Sequence, residues 1–216
     1  GGESSRPGAK KISIEEEMQR VIPSIIDFKK NNLVTQISLD TRNLPTMKLG
    51  LESGVDIIND ISGFADHNKI KFVSKFNLPV IVMHMQNEPN NMQIEPKYSF
   101  APIDIYKILS KRVNLLVQMG VNKSNIVVDP GIGFGKNIYH NLEILRNVSL
   151  FHSLGVPILI GLSRKTFIHE VVVKGYKYEG ITKRLISPTK RLSGSLAFAM
   201  HAYKNGIQII RTHDVF

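Results

Sequence analysis

Short apolar runs alternate with longer segments in which apolar residues recur at helical spacing along this 216-residue chain. Continuous runs of β-branched and aliphatic residues are typical of strands that are buried on both faces, as in a parallel sheet. Six such runs predict strands at 36–40, 55–60, 79–84, 125–129, 156–162 and 206–211. Each run stops abruptly at polar or charged residues, which is where the strand is predicted to end.

Three segments between these runs have an apolar stripe of helical period. Residues 14–30 predict a helix that begins with a capping box formed by Ser13 and Glu16, although Pro23 interrupts the pattern. Residues 103–119 predict a second helix, with Gly120 as its C-cap. Residues 189–204 predict a third, whose apolar positions are Leu192, Leu196, Met200 and Tyr203.

Alternation of strands and helices predicts an α/β fold with a parallel sheet. An open doubly wound sheet would carry a GxGxxG turn after an early strand, and none is present here. Polar residues at nearly every strand end favour a (β/α)8 TIM barrel instead. Only six strands are found where such a barrel has eight, so we expect a single domain, 1–216, that lacks the first strands and the last helix.

Composition excludes several classes of protein. The chain has no cysteine, so disulfides and thiolate metal sites are excluded, and no apolar run approaches the roughly 18 residues of a membrane span. Its net charge of +10 would suit nucleic acid. However, much of the basic excess lies on polar helix faces and in one stretch, 174–191, which we interpret as solvated, and no recognition motif accompanies it. We therefore expect neither a nucleic-acid nor a membrane partner.

The polar residues at the predicted strand ends form an acidic and a cationic group. The acidic and amide group comprises Asp40, Asn59, Asp60 and Asp129, and the cationic group comprises Arg164, Lys165 and Arg211 with His213. Arg and Lys suit phosphate oxygens. A buried aspartate suits the adjacent N–H donors of a heterocycle, because it would be costly to bury without such partners. This pattern predicts an enzyme that binds an anionic small molecule.

Several of these polar residues, and Lys136 after the glycine-rich loop, also have a purely structural interpretation. Asp40 is also a candidate N-cap of a following helix, and Asn59-Asp60 is also typical of a turn. Lys136 is also consistent with a solvated charge. No HExxH or comparable spacing supports a protein metal site, and Ser163 lacks the GxSxG context of a nucleophile.

Seven segments, in this order and spacing, resemble the dihydropteroate synthase family of pterin-binding barrels: GGESSRPGA, SLDT, INDISG, VMHMQ, DPGIGFGK, SRK and RTHDV. The resemblance covers essentially the whole chain. It implies a transferase of folate biosynthesis that condenses 6-hydroxymethyl-7,8-dihydropterin diphosphate with p-aminobenzoate, giving 7,8-dihydropteroate and diphosphate. Two departures are Ser5, where the family usually has Thr, and Thr166, where it usually has Ser.

The resemblance also implies a role for each matching residue. The implied pterin-binding residues are Asp40, Asn59, Asp129 and Lys165. The implied diphosphate-binding residues are Ser5, Arg6, Arg211 and His213. The implied p-aminobenzoate residues, at a site that sulfonamides also occupy, are Pro7, Phe134 and Thr166. Lys165, Arg211, His213 and Asp129 are the implied catalytic residues.

The same resemblance implies Mg²⁺ as cofactor, bound with the diphosphate, and no metal ligand in this chain, because the family's first mobile loop precedes everything present here. It further implies a cytoplasmic homodimer. Two alternatives stay open at this point: a pterin-binding methyltransferase, which would transfer methyl groups to a corrinoid, and a non-catalytic pterin-binding module.

Overall fold

The computed structural model describes residues 1–6, 8–31, 34–175 and 186–215. Within these ranges the chain is an α/β protein with seven α-helices and six strands. In chain order the elements are α1 Ile14–Lys30, β1 Ser38–Asp40, α2 Leu44–Glu52, β2 Ile57–Asp60, α3 His67–Lys75, β3 Val80–Met83, α4 Ala101–Gln118, β4 Ile126–Asp129, α5 Ile138–Arg146, β5 Leu159–Gly161, α6 Thr166–Gly175, α7 Leu192–Lys204 and β6 Ile209–Arg211. Short 3₁₀ helices cover Lys123–Asn125, Val148–Leu154 and Pro188–Arg191.

All six strands run parallel and lie beside one another in chain order. β1 to β4 form one sheet and β5 pairs with β6. A bridge between Val128 and Ile158 joins the two parts, and Val128 N donates to Pro157 O at 2.9 Å. The strands therefore form a continuous parallel arc of a (β/α)8 barrel, as the sequence predicted, with all their carboxyl ends at one mouth.

The predicted strands are confirmed, and their carboxyl ends are placed more accurately than their starts. Every predicted end falls within one residue of the observed one, whereas β5 and β6 each begin three residues later than predicted. Strand ends are marked by the change from apolar to polar residues. Strand starts lack such a mark, because the preceding loops are themselves partly apolar and buried.

Helix α1 occupies the predicted residues and continues through Pro23. Ser13 Oγ accepts from Glu16 N at 3.1 Å, so half of the predicted capping box is present, whereas the Glu16 carboxylate pairs with Arg20 instead. The predicted helix 103–119 is present as α4, but it ends at Gln118 and its C-cap is Met119, not Gly120. Gly120 follows the cap, with φ +91° and its N–H donating to Val117 O.

The apolar stripe of α7 is exposed. The predicted stripe residues are 42%, 61%, 54% and 69% exposed at Leu192, Leu196, Met200 and Tyr203. Ala202, on another face of this helix, is buried in the core instead. The periodicity therefore predicted the helix correctly but not which face packs inward.

The core lies between the strands and the helices that cover their outer side. Ile58, Val80, Val82 and Ile126 are fully buried, and α4 packs Ile105 and other apolar side chains against them. No helix within the described residues is long and apolar enough to cross a membrane.

Most of the basic stretch 174–191 lies outside the residues whose side chains are described. Its last residue, Arg191, is only 4% exposed, and its guanidinium donates to Ile186 O and Arg164 O. The interpretation of this stretch as solvated is therefore wrong at Arg191, because the guanidinium serves as a donor to buried backbone carbonyls.

Candidate active site

The mouth of the barrel brings the polar strand ends together. Asp40 and Asn59 are register partners at the ends of β1 and β2. From the far end of the arc, Arg211 of β6 reaches across, with its Nη2 3.3 Å from Asp40 Oδ2. Residues that are 171 positions apart in the sequence therefore share one site, which is what the parallel arc dictates.

Asn59 contributes a buried acceptor without a donor. The residue is 7% exposed, and among the described residues its side-chain oxygen has no hydrogen-bond partner. An unsatisfied buried carbonyl costs about 1–3 kcal/mol. Such an oxygen at the mouth of a barrel is a candidate acceptor for a hydrogen bond that a ligand donates.

Asp129 is the second buried acceptor. It is 7% exposed, and its Oδ1 accepts from Gly131 N at 2.7 Å. Burial raises the pKa of this carboxyl, and the nearby Lys165 acts in the opposite direction. Within the described residues that backbone N–H is the one donor recorded for the carboxylate, which leaves acceptor capacity for a ligand.

Lys165 lies beside Asp129 and above an aromatic ring. Its ammonium donates to Ile132 O and lies 4.5 Å from the centre of the Phe134 ring, within reach of a cation–π interaction. Burial lowers the pKa of Lys165 from 10.5 to about 8, whereas Asp129 raises it. Phe134 and Lys165, predicted for two different substrates, are thus in direct contact.

Asp40 is not the helix cap that the sequence left open. The N-cap of α2 is Asn43, and the Asp40 side chain is 16% exposed at the mouth. Burial raises the pKa of Asp40, and the positive charge of Arg211 opposes that rise.

Arg211, at the end of β6, and His213, two residues later, belong to the group that the sequence predicts to bind an anion. Ser163 Oγ accepts from His213 N at 3.2 Å and lies 3.0 Å from His213 Nδ1. Arg211 is 56% exposed, so a ligand anion can reach its guanidinium.

The loop of residues 1–6 is fastened to the same mouth. The Arg42 guanidinium binds both carboxylate oxygens of Glu3, at 2.7 and 3.0 Å, and Arg20 donates to Gly2 O at 3.0 Å. Ser5 is half-buried and Arg6 is exposed. Among the described residues, neither side chain forms a hydrogen bond or an ion pair with Arg211 or His213, and Pro7 lies outside these residues.

Thr166 is exposed and opens α6, directly after Lys165. Its neighbour in the chain, Lys165, contacts the Phe134 ring. Of the three residues predicted for p-aminobenzoate, Phe134 follows β4 and Thr166 follows β5, and their role stays a prediction.

Asp60 is a structural residue. It is fully buried and accepts from Ser62 N, Ser62 Oγ, Phe64 N and Lys69 Nζ at 2.6 to 3.1 Å. The turn that the sequence offered as an alternative for Asn59-Asp60 is therefore present. Its donors satisfy the Asp60 carboxylate but not the Asn59 side-chain oxygen.

Lys136 is buried, so its interpretation as a solvated charge is wrong. It is 3% exposed, and its Nζ lies 2.8 Å from Phe134 O and 3.0 Å from His84 Nδ1. Burial lowers the pKa of His84 to about 2, so the ring is neutral and its Nδ1 accepts from Lys136. A lysine that directly follows a glycine-rich loop was the available signal, because such a loop can fold back over the side chain.

A metal site built from protein side chains is not evident in the part of the chain that the structure describes. No group of three or more histidine, aspartate and glutamate residues there is arranged to hold an ion. Mg²⁺ is commonly held by one or two carboxylates together with substrate phosphates, so these residues alone do not make a magnesium site.

Comparison with known proteins agrees with this geometry. The family model described as "Pterin binding enzyme" matches residues 1–213. The dihydropteroate synthase of Escherichia coli K12 is 38% identical over 215 residues, which cover 100% of this chain and 72% of the relative.

Two solved structures are also similar. The dihydropteroate synthase of Yersinia pestis, in a sulfonamide drug complex, has a TM-score of 0.90 and 35% identity, over 100% of this chain and 74% of its own. The dihydropteroate synthase of Xanthomonas albilineans, with 4-aminobenzoic acid, has a TM-score of 0.86 and 32% identity. The match covers 100% of this chain and 72% of that one.

Proposed function

The chain belongs to the pterin-binding enzyme family, and on that premise we propose that it catalyses the dihydropteroate synthase reaction of folate biosynthesis. The reaction is a transfer: 6-hydroxymethyl-7,8-dihydropterin diphosphate and p-aminobenzoate give 7,8-dihydropteroate and diphosphate. The observation that carries the proposal is the match over residues 1–213, which includes every described strand end at the mouth.

The pterin is proposed to bind among Asp129, Asn59, Asp40 and Lys165. A pterin offers adjacent N–H donors on its amino-pyrimidine edge, and the Asp129 carboxylate and the Asn59 carbonyl are buried acceptors with capacity for them. Lys165 is a donor for the opposite, carbonyl-bearing side of the ring. The cost of burying these groups without a ligand supports a site that is completed by one.

The diphosphate is proposed to bind Arg211 and His213, with Ser5 and Arg6 from the loop. In the reaction the bond between the pterin methylene carbon and the diphosphate oxygen breaks, and its electron pair leaves with the oxygen. Negative charge therefore grows on the diphosphate, where the Arg211 guanidinium and the His213 ring would stabilise it.

p-Aminobenzoate is proposed to bind against Phe134 and Thr166, with Pro7 from the loop. Its amine nitrogen forms the new bond to the methylene carbon and then releases a proton to solvent at the open mouth. The protein's contribution to this step is orientation of the two reactants, since no strong base is needed for an aniline that attacks a cation. Sulfonamides are proposed to compete at the same place.

The test is Arg211→Ala in an assay for dihydropteroate formation. We expect product formation to fall by about 10²–10³-fold, since one group that stabilises the developing charge is lost. The Lys97→Ala variant is the control, because Lys97 is an exposed lysine whose side chain is 84% accessible. Near-full activity of Arg211→Ala would contradict the proposal, and methyl transfer to a corrinoid would support the methyltransferase instead.

Mg²⁺, a homodimer and a cytoplasmic location are further parts of this proposal. The metal is proposed to enter with the diphosphate, whose oxygens are its natural ligands; chelation with EDTA should then reduce activity, and added Mg²⁺ should restore it. The exposed apolar stripe of α7 supports self-association. Light scattering should give twice the 24.3 kDa of the chain, and Leu196→Asp should reduce it to the monomer.

A further inference from the structure

The residue before Lys165 has an unusual backbone. Arg164 has φ +59°, in the left-handed region, which non-glycine residues adopt rarely because Cβ then approaches the carbonyl oxygen. Such a conformation persists only where the surrounding structure holds it, and it is frequent at functional sites. The SRK segment that contains it joins β5 to α6 at the mouth of the barrel.

Two buried side chains from the start of α7 hold both backbone polar groups of Arg164. Its N–H donates to Ser195 Oγ at 2.9 Å, and its carbonyl accepts from Arg191 Nη1 at 2.8 Å. Ser195 Oγ in turn donates to Arg191 O at 2.8 Å. Ser195 and Arg191 are 6% and 4% exposed, so these two hydrogen bonds to the Arg164 backbone are shielded from water.

The side chain of Arg164 reaches the last segment of the site. Its guanidinium binds both carboxylate oxygens of Asp214, with Nε 3.1 Å from Oδ2. Asp214 directly follows His213, whose own backbone N–H and ring are held by Ser163 Oγ. The turn from Ser163 to Lys165 therefore holds the segment that carries His213, through Ser163 and Arg164, and it also carries Lys165.

We propose that Arg164 is a positioning residue for the reaction: its left-handed backbone directs Lys165 over Phe134, and its guanidinium fixes the segment that carries His213. The inference rests on the proposed function, because it takes the roles of Lys165 and His213 from there. The inference gives a function to the hydrogen-bonded group of Arg191, Ser195, Arg164 and Asp214. None of these four residues is proposed to bind a substrate directly.

The simpler alternative is a surface ion pair without consequence. The side chains of Arg164 and Asp214 are 32% and 20% exposed, and partly exposed pairs often contribute little to stability. The Lys29–Asp56 pair has similar exposure, 33% and 34%, but links α1 to the opposite, amino-terminal side of β2. It provides a matched control.

The test compares Arg164→Gly, Arg164→Ala and Asp214→Asn with Lys29→Ala. Glycine adopts φ +59° without strain, so Arg164→Gly removes the side chain while the backbone stays unstrained, whereas Arg164→Ala removes the guanidinium and also disfavours the backbone. We expect Arg164→Gly and Asp214→Asn to lower kcat about tenfold, because the charge-assisted pair between the guanidinium and the carboxylate is lost or weakened. Arg164→Ala should lower kcat further and raise KM for the pterin diphosphate. Lys29→Ala should leave both constants unchanged.

Two further measurements make the result decisive. The double variant Arg164→Gly/Asp214→Asn should be no worse than either single variant, because both remove the same contact. Melting temperatures of Arg164→Gly and Lys29→Ala should agree, which separates positioning from loss of the fold. Equal kinetics for Arg164→Gly, Arg164→Ala and the unmodified protein would overturn the proposal.

Binding of the pterin diphosphate, measured by calorimetry, separates this inference from the proposed function. If the unmodified protein binds the pterin but forms no dihydropteroate, the proposed function fails, and a tenfold weaker Kd in Arg164→Ala still supports the positioning of Lys165. If the unmodified protein binds no pterin, both fail. An unchanged Kd together with unchanged kcat in Arg164→Ala overturns the inference alone.

Discussion

Two buried aspartates at the carboxyl ends of β2 and β4 in the same sheet have opposite surroundings. Asp60, after β2, accepts four hydrogen bonds, one of them from the buried ammonium of Lys69 at 3.0 Å. Asp129, after β4, has one recorded donor among the described residues, a backbone N–H, and burial raises its pKa. Both carboxylates are removed from water, but only one is satisfied by the protein.

The difference separates a structural from a functional carboxylate. A buried charge is tolerated where partners satisfy it, and Asp60 has them within the chain. Asp129 has the acceptor capacity of a site that is completed from outside, as does Asn59, whose side-chain oxygen has no donor in the described part of the chain. Burial alone therefore does not identify a site residue at this mouth, and unused acceptor capacity is what distinguishes Asp129 and Asn59 from Asp60.

The largest effect is expected from Asp129→Asn. Asparagine keeps the size and the bond to Gly131 N but replaces one acceptor oxygen with a donor, which would face the N–H edge of the pterin. With one or two charge-assisted hydrogen bonds lost, kcat/KM should fall by about 10²–10⁴-fold. Steady-state kinetics should show this while the free energy of unfolding stays equal or rises, since a buried charge is removed. A stable but fully active variant would contradict the assignment.

The opposite outcome is expected for Asp60→Asn. Removing one partner of a buried ion pair leaves Lys69 uncompensated, so the free energy of unfolding should fall by about 3–5 kcal/mol. Urea unfolding measures this, and kcat/KM of the folded protein should change little. Adding Lys69→Met should recover part of the lost stability; a double variant that is less stable than Asp60→Asn would show that the pair is not the cause.

A smaller effect is expected from Lys136→Met. The substitution leaves Phe134 O and His84 Nδ1 without their donor, so the free energy of unfolding should fall by about 1–3 kcal/mol. Because the loop that holds Phe134 loses its anchor, KM for p-aminobenzoate should rise more than KM for the pterin. Lys97→Met is the control at an exposed lysine. An equal rise in both KM values would contradict a specific effect of Lys136 on the p-aminobenzoate site.

The smallest change is a pH dependence caused by Lys165. Burial lowers its pKa to about 8, so the ammonium donates below that pH and loses its proton above it. Since kcat/KM reports the free enzyme, it should fall by about tenfold per pH unit above pH 8. Lys165→Arg should abolish this fall, because a guanidinium keeps its proton. Asp129→Asn should move the fall to lower pH, since Asp129 raises the pKa of Lys165.

Much of the fold was predictable because burial on both faces leaves a local signal. The six apolar runs correspond to the six observed strands, and their polar ends correspond to the mouth. The exposed stripe of α7 and the buried Arg191 were not predictable, since hydrophobic period identifies a helix but not the partner of each face. The resemblance supplied the residue roles, which stay predictions that the experiments above test.

The sequence by itself determined the strand ends, the order of the polar residues and the family, because each depends on neighbours in the chain. Only the tertiary structure distinguished Asp60 from Asp129, and Lys136 from a solvated lysine. Those distinctions depend on donors and acceptors from distant segments, such as Lys69 for Asp60, His84 for Lys136, and Ser195 and Arg191 for Arg164. Whether a buried polar group is satisfied is a property of the packed neighbours, and the chain around it does not encode that locally.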